Sequence, residues 1–128
     1  MPRVLVVDDE ATVLRFVENA LTRFGYTVRT AESSVHAIDI FDREGAFDLL
    51  LTDFMMPGMR GDELAGTLRT RQPWLKVVYF TGFSDALHSA HPEFSPDESV
   101  IAKPVSLAQL HDAVSLAIYG HRGGPPRT

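Results

Sequence analysis

A doubly wound α/β sandwich, a parallel five-stranded sheet with helices on both faces, is the fold class this sequence predicts. Three observations carry it. Short runs rich in valine and leucine recur along the chain, each too short to be a helix. Stretches with apolar residues at helical spacing separate them, giving five of each in alternation. The runs are apolar almost throughout, as strands buried on both faces are. Right-handed crossovers then leave few topologies other than the doubly wound sheet.

Each element has its own signal. Arg3 to Val7 is a valine-rich strand. Ala11 to Phe24 follows at helical spacing, with Val13, Val17, Leu21 and Phe24 on one face and Gly25 as the residue that stops it. Thr27 to Ala31 is the second strand, and Ser33 or Ser34 caps a helix carrying Ala37, Ile38 and Phe41, which Gly45 closes. Phe47 to Thr52 is a third strand around Leu49, Leu50 and Leu51. A loop with Pro57, Gly58 and Gly61 leads to a helix bearing Leu64, Ala65 and Leu68, ended by Pro73. Trp74 reads as a packing residue before the fourth strand, Lys76 to Thr81. Over Ser84 to Ser99, Pro92 and Pro96 allow a short helix followed by an irregular loop, and Val100 to Ala102 is a short fifth strand. Ser106 caps the last helix, with Gln109 as its capping-box partner and Leu107, Leu110, Val114 and Ala117 on its apolar face. Gly120 to Thr128, with Gly123-Gly124 and Pro125-Pro126, reads as a flexible tail after a domain over residues 1–119.

Composition narrows the function classes. The 128 residues suit one domain able to bury its own core. With no cysteine, disulfides, thiolate nucleophiles and cysteine-based metal centres are excluded. The apolar run before Asp8 is too short for a signal peptide or a spanning helix, so a cytoplasmic protein without membrane insertion is expected. A net charge of −5 without a basic stripe argues against direct nucleic-acid binding and favours a protein partner or a cationic ligand.

Ligands of doubly wound sheets bind beyond the carboxyl ends of the strands. Those ends carry Asp8 and Asp9, then Asp53, then Thr81, then Lys103. Taken singly, each has an ordinary explanation: an aspartate after a strand is usually a turn residue or cap, and Asp8-Asp9-Glu10 suits a helix N-terminus. Together they form a chemically coherent set. Neighbouring aspartates repel, and a divalent cation relieves the repulsion. Mg²⁺ fits best, since it takes one or two carboxylates plus phosphate oxygens, whereas zinc prefers histidine and thiolate. A carboxylate beside such a cation is placed to attack phosphorus, giving an acyl phosphate. Asp53, ending the most apolar strand amid the acids, is the candidate nucleophile. Lys103 and the Thr81 hydroxyl are candidates to stabilise the phosphoryl oxygens.

Val-Leu-Val-Val-Asp8-Asp9-Glu10, Asp53-Phe54-Met55-Met56-Pro57 with Gly61, Thr81-Gly82 and Lys103-Pro104 resemble, in order, the receiver domain of bacterial two-component response regulators. The match runs from Arg3 to about Tyr119. The resemblance implies the flavodoxin-like strand order 2-1-3-4-5. It implies that Asp53 takes a phosphoryl group from a sensor histidine kinase or a histidine phosphotransfer protein and switches a surface for a downstream protein target. It also implies a Mg²⁺ site of Asp8, Asp9 and Asp53 with the Met55 backbone carbonyl, Asp9 being the direct ligand of the acidic pair. Thr81 and Lys103 correspond to the residues that contact the phosphoryl group.

The sequence departs from the family at three positions. Where members often carry Tyr or Phe three residues before the lysine, this chain has Val100, which cannot make the aromatic swing that follows the threonine in the switch. Met55 and Phe83, at the positions flanking the phosphoryl site, are apolar where many receivers are polar. Two other readings compete. A pseudo-receiver that binds a partner without phosphorylation keeps some support from Val100. An aspartyl-nucleophile phosphatase needs a second Asp two residues after the first, where Met55 stands, so an enzyme turning over external substrates is not expected. No Gly-rich loop follows the first strand, which disfavours a nucleotide-binding domain. His88, His91, Glu93, Asp97 and Glu98 read as a solvated surface.

Overall fold

The computed structural model describes residues 2–81, 98–102 and 106–120. Its five strands are β1 (Arg3–Val7), β2 (Thr27–Ala31), β3 (Leu49–Asp53), β4 (Lys76–Thr81) and β5 (Glu98–Ala102). They form one parallel sheet in the order β2-β1-β3-β4-β5. Four helices lie among the described residues: α1 (Ala11–Arg23), α2 (Ser34–Glu44), α3 (Gly61–Arg69) and α4 (Leu107–Tyr119). The fifth helix expected before β5, and residues 121–128 of the tail expected from Gly120, fall outside the described residues, while Gly120 itself caps α4 with φ 78°.

Strand alternation divides the core into two layers. Leu5, Val7, Leu50, Val77 and Tyr79 point to the layer completed by Ala37, Ile40, Phe41, Leu64, Ala65 and Leu68 of α2 and α3. Val4, Val6, Leu49, Leu51, Val78 and Phe80 point to the other, against Leu14, Val17 and Leu21 of α1 and Leu110 and Val114 of α4. Every residue of β3 is buried, as the centre of a doubly covered sheet requires.

Local signals set most of the boundaries. Gly25 (φ 98°) follows α1, whose C-cap is Phe24. Ser33 caps α2, its hydroxyl accepting from the His36 N–H at 3.1 Å. Ser34 instead donates to the Met59 carbonyl at 3.1 Å and ties α2 to the loop after β3. Ser106 and Gln109 form both halves of their capping box, at 3.1 and 3.0 Å.

Four expectations need correction. The third strand is Leu49–Asp53, displaced toward the C-terminus from Phe47 to Thr52. The side chain of Gln72 takes both backbone groups of Phe47, donating to its carbonyl at 2.6 Å and accepting from its N–H at 3.1 Å. Helix α3 stops at Arg69 with Thr70 as its C-cap, before Pro73 can act. Trp74 is 69% exposed, because the neighbouring Leu75 and Gln72 fill the buried positions. The fifth strand starts at Glu98, two residues before Val100, so the irregular loop ends earlier than expected.

Candidate functional site

Sheet topology brings the acidic residues together. The strand order reverses between β1 and β3, which leave their shared edge in opposite directions. Register pairs Val7 with Thr52, so the next residues, Asp8 and Asp53, sit side by side at the carboxyl edge. Asp53 pairs with Phe80, placing Thr81 one step further along the adjacent strand, itself paired with Ala102.

Asp8 is fully buried and Asp53 is 6% exposed, while Asp9 and Glu10 are exposed. One carboxylate oxygen from each of Asp8, Asp9, Glu10 and Asp53 lies within 4.8 Å of the others. The Asp8 Oδ1 accepts from the Glu10 N–H at 2.9 Å, folding the turn after β1 back on the cluster. At an effective dielectric constant near 20, two unit charges at such a spacing repel by on the order of 3 kcal/mol. The donor set is entirely oxygen, with two buried and two solvent-facing carboxylates, which fits a hard divalent cation that retains water.

The loop after β3 is held by local contacts. The Phe54 N–H donates to the Phe80 carbonyl at 2.9 Å, and the Phe54 carbonyl accepts from the Gly61 N–H at 2.8 Å. Met56 is buried at 8% exposure, whereas Met55 stands 52% exposed beside the acids' edge of the sheet. Gly58 takes a positive φ of 85° at the bend. At Gly61 the constraint is space: a Cβ there would lie 2.4 Å from the Asp53 carbonyl oxygen.

Of the expected site residues, Asp8, Asp9 and Asp53 converge and Met55 follows them on the loop. The Thr81 backbone ends β4 at the same edge. Lys103 and Phe83 lie outside the described residues, as do His88, His91, Glu93 and Asp97. Val100 is half-buried, opposite Tyr79 and packed on the α2–α3 core layer. Two residues that the sequence reading named were given no role at the site by it. Glu10 joins the cluster, a role its adjacency to Asp8-Asp9 offered but which a helix-terminus reading absorbed. Gly61 abuts the backbone of Asp53, a long-range contact for which sequence carries no signal beyond the glycine itself.

No helix of the described residues is long and apolar enough to cross a membrane. The response regulator receiver domain family model matches residues 4–115. The response regulator receiver protein CpdR of Brucella abortus is 34% identical over 110 residues, covering 86% of this chain and 91% of that protein. The sensor kinase CckA of the same organism is 33% identical over 112 residues, covering 87% of this chain but only 12% of the kinase. The crystal structure of the response regulator protein TrrA from Thermotoga maritima, in complex with Mg(2+)-BeF, matches with a TM-score of 0.77 and 33% identity, covering 89% of this chain and 96% of that one.

Proposed function

Because this chain belongs to the response regulator receiver domain family, we propose that it works in a two-component phosphorelay, with Asp53 as the phosphoryl acceptor. The observation that carries the reading is the convergence of Asp8, Asp9 and Asp53 at the switch point of the sheet, with Asp53 alone at the end of the central strand. The donor is a sensor histidine kinase or a histidine phosphotransfer protein, and a downstream protein target reads the result. With ATP-charged donors of that kind, the protein works in the cytoplasm. Residues 1–119 make up the receiver domain and residues 120–128 its tail. It is a switch and not an enzyme with external turnover.

The carboxylates of Asp8, Asp9 and Asp53 and the Met55 carbonyl are the groups that would hold Mg²⁺. When bound, the ion would neutralise the acids and screen the charge of the phosphoryl group. An Asp53 carboxylate oxygen attacks phosphorus, and an O–P bond forms as the P–N bond of phosphohistidine breaks. The electron pair of that bond stays with the imidazole, which leaves as the neutral ring from its protonated form. The Thr81 hydroxyl and the Lys103 ammonium then hold the phosphoryl oxygens. Phosphorylation adds about −1.5 to −2 charges to the site.

Incubation with Mg²⁺ and acetyl phosphate, followed by intact-mass measurement, tests the proposal. One phosphoryl adduct is expected on the wild type and none on Asp53→Asn. An unmodified wild type, with a histidine-phosphorylated donor also failing, would leave the pseudo-receiver reading in its place.

Met55 bears on the lifetime of the adduct. Its exposed thioether side chain stands where a polar residue would help to hold a hydrolytic water. Met55→Asn is expected to shorten the half-life of the phosphoryl group several-fold, as followed by loss of the adduct after removal of donor. An unchanged half-life would assign the control of hydrolysis to other residues.

A further inference from the structure

We infer that Arg60 is a positioning residue for the acceptor loop, holding Phe54 and through it the segment that follows Asp53. The inference rests on the reading of Asp53 as acceptor. Arg60 occupies the N-cap of α3 in an extended conformation (φ −69°, ψ 160°). Ser, Thr, Asp and Asn are favoured at that place because a side-chain oxygen accepts from an orphan amide of the first turn. A guanidinium has five donors and no acceptor, so Arg60 cannot cap with its side chain. By helix criteria alone the residue is a poor choice.

Its contacts go elsewhere. Arg60 Nε and Nη2 donate to the two carboxylate oxygens of Asp62 at 3.1 and 3.0 Å, a fork that fixes the plane of the guanidinium. The Arg60 N–H donates to the Glu63 carboxylate at 3.0 Å, which supplies the half of a capping box that needs no acceptor on residue 60. Oriented in this way, the guanidinium carbon lies 5.4 Å from the centre of the Phe54 ring, within cation–π range.

Phe54 is directly bonded to the proposed acceptor. The residue is 3% exposed, and its ring meets Tyr79 edge-on, 5.7 Å away with the planes at 84°. The loop between Phe54 and Gly61 is thus closed twice at its base. One closure is the backbone hydrogen bond from Gly61 to Phe54 at 2.8 Å, and the other is the guanidinium over the ring. Asp53 precedes this closure and Met55 lies within it, so the angle at which the loop leaves β3 governs two of the four groups assigned to Mg²⁺. Arg60 helps to set that angle.

The cap and the clamp make opposite demands, and the test uses this. Arg60→Asn provides a better N-cap and removes the guanidinium. The full chain is compared as wild type, Arg60→Asn, Arg60→Lys, Phe54→Leu and the Arg60→Asn/Phe54→Leu double variant. Readouts are thermal unfolding and calorimetric Mg²⁺ titration of the unphosphorylated protein. Arg60→Asn is expected to unfold at or above the wild-type temperature yet to bind Mg²⁺ about tenfold more weakly, the usual scale for losing an outer support of a metal ligand. Arg60→Lys, which keeps a cation over the ring but not the fork, falls between them. Phe54→Leu weakens binding as well, and the double variant adds little, because both changes break one contact.

A Mg²⁺ affinity of Arg60→Asn within about twofold of wild type overturns the positioning role, and so does strict additivity in the double variant. If Phe54→Leu does not fold, the two Arg60 variants decide the matter alone. A wild type that binds no Mg²⁺ instead removes the Asp53 reading, and this inference with it.

Discussion

Gly61→Ala is expected to lower the thermal midpoint by about 5–10 °C and to slow phosphorylation by acetyl phosphate about a hundredfold. The reason is space and not backbone freedom, since Gly61 is absent from the glycines with positive φ. A Cβ at this position would lie 2.4 Å from the Asp53 carbonyl oxygen and 3.0 Å from the Phe54 Cα. Both are backbone atoms, which cannot swing aside like the tip of a side chain. Either α3 retreats and strains the hydrogen bond from Gly61 to Phe54, or the end of β3 moves. Overpacking of this kind costs about 1–3 kcal/mol. Moving a reacting group by 1 Å costs about two orders of magnitude in rate. Gly66, in the same helix, has nothing within 4 Å of its added Cβ and is the natural control. Gly66→Ala is expected to stabilise the protein by helix propensity and to leave the phosphorylation rate alone. Equal behaviour of the two variants in unfolding and phosphorylation assays would contradict the steric argument.

Asp9→Asn is expected to move stability in opposite directions with and without Mg²⁺. In Mg²⁺-free buffer, four carboxylates whose oxygens lie within 4.8 Å repel one another, and neutralising one removes part of that repulsion. Asp9 is solvent-exposed, so screening limits the gain to about 0.5–1 kcal/mol. With Mg²⁺ the order reverses. At a free concentration 100 times Kd, a ligand that binds only the folded state adds about 2.7 kcal/mol. The wild type is therefore expected to show a rise of several degrees in Tm on addition of Mg²⁺, and Asp9→Asn little or none. Thermal unfolding of both proteins across a Mg²⁺ series checks this. An undiminished rise in Asp9→Asn would remove Asp9 from the metal site.

The elements that place the site were legible because each depends on short-range patterns. The apolar runs of β1, β3 and β4 carry their own period and length, and with them the positions of Asp8, Asp53 and Thr81. The glycine stop after α1 and the Ser106–Gln109 box are equally local. The misplacements arose where distant partners decide. Phe47 continues the apolar run of β3, but the Gln72 amide, 25 residues away, occupies its backbone groups. Trp74 is apolar enough for the core, yet Leu75 takes the buried place. On Arg60 the sequence offered no reading: its side chain meets Asp62 and the Phe54 ring, a contact that only the folded chain makes.

On the proposed reading of Asp53 as acceptor, Val100 bears on the route to a partner. It lies opposite Tyr79, which in turn contacts Phe54 beside Asp53. The aromatic residues beside Asp53 are thus Phe80, its partner on β4, and Phe54, just after β3, while Val100 of β5 is a branched aliphatic residue. A rotating aromatic at that position of β5 has no counterpart here.

The measurement that bears most directly on the central claim is chemical mapping of the modified residue. Protein phosphorylated in the presence of Mg²⁺ is reduced with borohydride, which converts an aspartyl phosphate to homoserine, and the digested peptides are sequenced by mass spectrometry. Homoserine at position 53, and at no other aspartate, is the expected result. Homoserine at Asp8, Asp9 or elsewhere with Asp53 intact would contradict the account.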